Sequence, residues 1–186
     1  MVTVTTSEDS LLAMSTSAPD PYHHGDLRAA LLRAAEAMLA AQGPQDLSLR
    51  AVARAAGVSH NAPYRHFASR EALLAALAAE GFRRLAAALE GAGAGMAALG
   101  RAYLGFAEAN PALYRLMFGQ GPSRAAHPAL AAAADAAFAP LAARRPDRAA
   151  ALRAWALVHG IAQLRADGHW PEPGAALAEA VLREEG

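Results

Sequence analysis

The residues best equipped for chemistry in this chain cluster in one short run, SLRAVARAAGVSHNAPYRHF over positions 48–67. Ser59, His60 and Asn61 carry groups that can meet base edges in a DNA groove, and an asparagine amide can pair with adenine through two hydrogen bonds. Tyr64, Arg65, His66 and the nearby Arg70 are suited to phosphate contacts, which fix register without reading sequence. Ser48 and Arg50 join them as candidates, and backbone amides at helix starts after Ser48 and Ser69 could hold an anion. The chemistry expected is therefore recognition of double-stranded DNA.

Catalysis has no comparable set. The chain contains no cysteine, no G-x-S-x-G, no H-E-x-x-H and no glycine-rich phosphate loop. We expect no enzyme, no cofactor and no metal. His23 and His24 precede a glycine and read as a flexible entry rather than as metal ligands.

Positioning the run requires two short helices and a tight turn. Ser48 caps a helix over Leu49–Ala56, with Leu49, Val52, Ala53 and Ala56 on one side. Gly57 suits the left-handed residue that ends it. Ser59 caps a third helix through about His66, with Phe67 entering the core. The small Ala53, Ala55 and Ala56 let two helices cross closely, as a helix-turn-helix requires. Pro63 sits inside the second of them, which implies a short or tightly wound element.

Charge distribution agrees with a polyanion partner. The chain has formal net charge zero, but residues 22–70 hold six arginines against Asp26, Glu36 and Asp46. That excess is modest, and the absence of lysine reads as compositional bias toward arginine and alanine. Hydrophobic residues make up 54% of the chain, yet charges or glycines break every long apolar run before it could span a bilayer. Residues 1–20 lack the charged and apolar regions of a secretion signal. We expect a cytoplasmic protein that does not engage a membrane.

The remaining sequence reads as helix throughout. Residues 1–21, rich in Ser, Thr, Asp and Pro, read as a disordered arm. Asp26 caps a first helix that Gly43–Pro44 stops, and Ser69 caps a long one running toward Glu90. Gly91–Gly95 is a breaker. Further helices follow at about 96–109, 112–118, 128–144 (with Pro140 as a kink), 146–167 and 174–185. The expectation is an all-α fold of about nine helices. A helix-turn-helix head over 22–70 continues through a linking helix, 70–90, to a body over 91–186.

The segment His24–Leu85 resembles the DNA-binding domain of TetR/AcrR-type regulators. Leu49–Ala56, Gly57–Val58–Ser59, Tyr64–Arg65–His66–Phe67 and Ser69–Leu74 carry the likeness. The resemblance implies phosphate contacts for Tyr64, His66 and Arg70, where the family more often has lysine at the last, and specificity roles for His60, Asn61 and Arg65. Leu113–Phe118 and Trp155–Gly160 resemble the TetR-type C-terminal domain with a Trp-His-Gly motif.

The same resemblance implies a ligand cavity in the body and a homodimer built from the last two helices. Trp155 and His159 share a helix face, and with Tyr103, Phe106, Tyr114, Met117 and Phe118 they could line an apolar pocket. The same residues could be plain core, and His159 either a ligand contact or a packed histidine. The function implied is a repressor of a palindromic operator, released by a small, largely apolar effector. A dimeric DNA-binding module without a sensor, or an all-α enzyme, are the other readings.

Overall fold

The structure is a computed structural model that describes residues 24–119 and 121–170. Among these residues it forms seven α-helices, two short 3-10 turns and no strand. The helices are α1 (His24–Gln42), α2 (Leu49–Ala55), α3 (Arg70–Glu90), α4 (Met96–Ala109), α5 (Pro111–Phe118), α6 (Pro128–Ala142) and α7 (Arg148–Ala166). The 3-10 turns are Ala62–Arg65 and Arg124–Ala126.

The all-α expectation holds, but the count of about nine helices does not. The helix expected from Ser59 to His66 is a single 3-10 turn, for a reason given below. The arm over 1–21 and the helix expected over 174–185 fall outside the described residues.

Local signals set most of the boundaries. Ser48 Oγ accepts from Ala51 N and Ser69 Oγ from Ala72 N, each at 3.1 Å, satisfying amides that helix starts leave unpaired. Gly57 takes the left-handed conformation at φ +69°, which lets Val58 N return to Ala53 O at 3.0 Å and close α2. Two starts differ from expectation. α1 begins at His24, so Asp26 lies inside its first turn. α7 begins at Arg148 because Asp147, in extended backbone, accepts from Ala150 N at 2.7 Å; Pro146 merely precedes this cap. Asn110 leads Pro111 into α5 but turns its amide back, donating to Phe106 O at 2.9 Å.

The central helix is α3, about 30 Å long at the usual rise. It packs against α1 in the head and against α4, α5 and α6 in the body. Leu73, Leu77, Phe82 and Leu85 are at most 1% exposed along its length. Glu36 of α1 pairs with Arg84 of α3 at 2.8 Å. α6 lies along α3 and buries Ala133, Ala134 and Ala137, small side chains that allow close approach. No described helix is long and apolar enough to cross a membrane.

Ala137 is fully buried on that face. Replacing it by leucine (Ala137→Leu) should overpack the α6 contact and destabilise the fold by about 1–3 kcal/mol. Thermal unfolding of the variant checks this; an unchanged midpoint would mean that α6 has slack against its neighbours.

Candidate nucleic-acid interface and ligand site

α2 buries Leu49, Val52 and Ala53 and turns Arg50 outward. After Gly57 the chain cannot enter an α-helix at Ser59, because Pro63 has no amide hydrogen and its ring would clash with a carbonyl four residues back. It winds tighter instead. Ala62 N donates to Ser59 O at 2.9 Å, Tyr64 N to Asn61 O at 3.3 Å, and His66 N to Pro63 O at 2.9 Å. Ser59 is therefore not the cap of an α-helix, and no side chain caps the 3-10 turn. Pro63 and Phe67 point into the core, with the Arg28 guanidinium 5.5 Å from the Phe67 ring centroid.

The polar residues of the run face outward. Ser48, Arg50, Ser59, His60, Asn61, Tyr64 and Arg65 are all exposed, Tyr64 to 50% despite its large ring. Had the fold buried His60, Asn61 and Arg65, no DNA groove could reach them. His66 is only half-buried, yet its Nε2 is shielded from solvent and has no hydrogen-bond partner. Arg70 is held differently from the rest: its Nε donates to Leu47 O at 2.6 Å and its terminal nitrogen to Pro44 O. Two of its donors thus tie the start of α3 to the α1–α2 connection.

In the body, three residues from three helices meet. Tyr103 of α4 and Tyr114 of α5 are buried, and their hydroxyls lie 3.0 and 2.7 Å from His159 Nδ1 of α7, and 3.3 Å from each other. Burial raises the Tyr103 hydroxyl far above its ordinary range and pushes Tyr114 up to about 12. Burial, with a smaller contribution from the Arg124 charge, lowers His159 below its usual value. All three are neutral near pH 7. Only one tautomer gives both hydroxyl protons an acceptor: Nδ1 accepts, so Nε2 carries the hydrogen. That Nε2–H donates to no described residue.

Rings surround this trio. Phe118 lies 4.7 Å from His159 and 4.9 Å from Tyr114, Trp155 lies 5.4 Å from Tyr103, and Phe82 meets Phe118 edge-on at 5.1 Å. The two other pocket candidates sit elsewhere. Phe106 is buried away from these rings, and Met117 packs over Gly81, where a methyl group would lie 2.5 Å from its sulfur. The cavity beside the cluster is about 30 Å³, bounded by Leu99, Tyr103, Leu141, Trp155 and Val158 among others. Only Tyr103 and Trp155 of the sequence candidates line it. Leu99 and Val158 share helical spacing with those two, a signal that could have found them; Leu141 gave none.

A wider cleft of about 660 Å³ lies where head meets body, with Pro44, Arg70, Glu71, Arg115 and Leu116 in its walls. Nearby, Glu71 of α3 meets His127 at the start of α6 at 3.2 Å.

The depressed His159 value has a sign. The unfolded chain takes up this proton first as pH falls through about 6.5, so the stability of the neutral fold is complete above that and declines below it. Between pH 7 and pH 5 the thermal midpoint of the protein should fall more steeply than that of His159→Gln. Equal slopes would mean that the folded ring accepts the proton freely.

Comparison with known proteins accounts for both halves. The sequence profile of bacterial regulatory proteins of the tetR family matches residues 31–77, and that of the tetracyclin repressor-like C-terminal domain matches residues 96–184. No curated protein sequence matches the chain. Among solved structures, a protein of unknown function from Rhodococcus sp. RHA1 is 41% identical, with 89% of this chain and 95% of that one covered and a TM-score of 0.73. The multidrug binding protein EbrR, complexed with imidazole, is 26% identical over 90% of this chain and 94% of its own, TM-score 0.64. A TetR transcriptional regulator from Rhodococcus sp. RHA1, at 19% identity, shares the fold with a TM-score of 0.66 over 88% of this chain and 95% of its own. With head and body each matched in the order the folded chain presents them, this protein belongs to the TetR family of transcriptional regulators and acts by binding DNA.

Proposed function

We propose that this regulator is a cytoplasmic repressor that binds a palindromic operator as a homodimer and releases it when a small effector enters the body. The observation that carries the DNA-binding half is the outward display of Ser59, His60, Asn61, Tyr64 and Arg65 on a turn whose Pro63 and Phe67 are locked in the core. Asn61, His60 and Arg65 read base edges; Tyr64 and Arg50 hold phosphates. His66 Nε2 is shielded from solvent, so a phosphate oxygen could bond to it only after the turn shifts on binding. Arg70 serves by placing the head rather than by touching DNA first.

The dimer interface lies on α7. Leu152 and Leu164 are 49% and 43% exposed, Ala149 and Ala156 are exposed, and Gly160 has open space where a side chain would be. Together they form a stripe of small and apolar residues along one side of the helix. A second copy covers it. Two heads then address half-sites about 34–36 Å apart, one turn of DNA.

Effector control follows from α3, which is fastened to the head at Arg70 and borders the body cavity at Leu89. A cavity of about 30 Å³ holds no more than a water molecule. A ligand must therefore part α4, α6 and α7 around α3, and it shifts the equilibrium by its preference for the parted state. EbrR, a multidrug binding protein by its description, supports a ligand role for a body of this kind. The small cavity favours one rival, a body that only dimerises. Release of operator DNA by any small molecule decides between them.

Asn61→Ala and Arg65→Ala should each weaken operator binding by about tenfold to a hundredfold while leaving non-specific DNA binding nearly intact. Tyr64→Phe should weaken both alike. Gel-shift titration on the protein's own upstream region, beside a random fragment, checks this; loss of non-specific binding alone for Asn61→Ala would reverse the assignment. Leu152→Glu combined with Leu164→Glu should give a folded monomer in sedimentation, and a persistent dimer would place the interface elsewhere.

A further inference from the structure

We propose that the effector is a small aromatic acid, its ring against Phe118 and Trp155 and its carboxylate held by Arg124 and the Nε2–H of His159. This rests on the reading above that the body takes an effector, and it names that effector's chemistry.

Arg124 comes from the 3-10 turn between α5 and α6, and its guanidinium sits 4.8 Å above the ring centroid of the buried Phe82. From there the rings are contiguous: Phe82 to Phe118 at 5.1 Å, then Phe118 to His159 at 4.7 Å. The charge is close enough to act on both Tyr103 and His159, favouring an anion at the first and opposing a cation at the second. Yet Arg124 makes no ion pair with any described residue. Arg148 stacks at 5.8 Å on Phe138, which meets Trp155 at 5.5 Å, and the adjacent Asp147 is engaged as the cap of α7. The residues that meet here are otherwise neutral: two un-ionised tyrosines, an uncharged histidine and hydrocarbon rings.

Among the described residues the exposed Arg124 has no carboxylate partner and the half-buried His159 no acceptor for its Nε2–H. A carboxylate supplies both, with a charge-assisted bond to guanidinium and a second bond to imidazole. A cationic ligand would meet Arg124 and a hydrogen-bond donor, both unfavourable. A neutral one would gain no ion pair with the guanidinium. Phe118, Trp155 and His159 are only half-buried, so the ring cluster is reachable from the surface, and a flat aromatic group can lie against these rings once the helices part.

The test uses the full chain and three probes of one shape: 3-phenylpropionate, 3-phenylpropionamide and 3-phenylpropylamine, followed by calorimetry and by release of operator DNA. The acid should bind at least about tenfold more tightly than the amide, and the amine more weakly still. In Arg124→Gln the acid and amide should converge to within about twofold, while Arg124→Lys keeps part of the preference. Arg124 is exposed, so both variants should melt like the parent, which separates lost recognition from lost folding. Amide or amine binding as tightly as the acid would overturn the acid assignment and leave the sensor standing. If none of the three binds or releases DNA, the aromatic-acid assignment fails, whereas the sensor reading fails only if no small molecule releases the operator.

Discussion

A single side chain fixes how the two halves of this molecule share one helix. Arg70 opens α3, and its guanidinium reaches across to the carbonyls of Leu47 and Pro44, between α1 and α2. Charge-assisted bonds to backbone carbonyls are stronger and more directional than neutral ones. Ser69 secures the same turn by accepting from Ala72 N. The head is thereby clamped to the end of a helix whose other face is body core, down to Phe82, Leu85 and Leu89. Few contacts other than these join head to body: α1 against α3 and α5, Glu36 with Arg84, and the half-exposed Glu71–His127 contact. A change in the tilt of α3 is thus a change in the position of the head and of its Ala62–Arg65 turn.

Whatever tilts α3 must act on its body end, where packing is tight and almost wholly apolar. The buried described residues there include no charged side chain, and the only deeply buried hydroxyls belong to Tyr103 and Tyr114. Those two satisfy each other and His159 Nδ1, so the network holds α4, α5 and α7 in one arrangement. The imidazole keeps one N–H that no described residue accepts. A close-packed core transmits strain because it cannot absorb volume, so even a compact guest beside Trp155 displaces helices rather than filling space.

Pro63 imposes the other constraint. It shortens the element after Gly57 to the 3-10 turn Ala62–Arg65, and a short turn with a buried proline and a buried Phe67 leaves its outward residues little freedom. Order before binding reduces the entropy lost on binding. Asn61 and Tyr64 are displayed by a scaffold whose own hydrogen bonds are already made within the turn.

What the sequence determined by itself was everything decided within one or two turns of chain. Ser48 and Ser69 cap helices, Gly57 takes the left-handed conformation, Pro111 and Pro128 open α5 and α6, and alanine-rich runs between such signals are helical. The exposed face of Ser59–Arg65 was legible too, because its alternation with Pro63 and Phe67 separates surface from core. Even Pro63 announced its effect, although a single 3-10 turn in place of an α-helix required the competing hydrogen bonds to be seen. The tertiary structure alone decided which distant residues meet. Arg70 finds acceptors 23 and 26 positions away, Tyr103 and Tyr114 find a histidine 56 and 45 positions away, and Arg124 settles over Phe82. It also moved Phe106 and Met117 out of the presumed pocket. Short-range geometry follows from propensities that each residue carries with it, whereas these meetings depend on how whole helices cross, to which every buried side chain contributes and no local pattern corresponds.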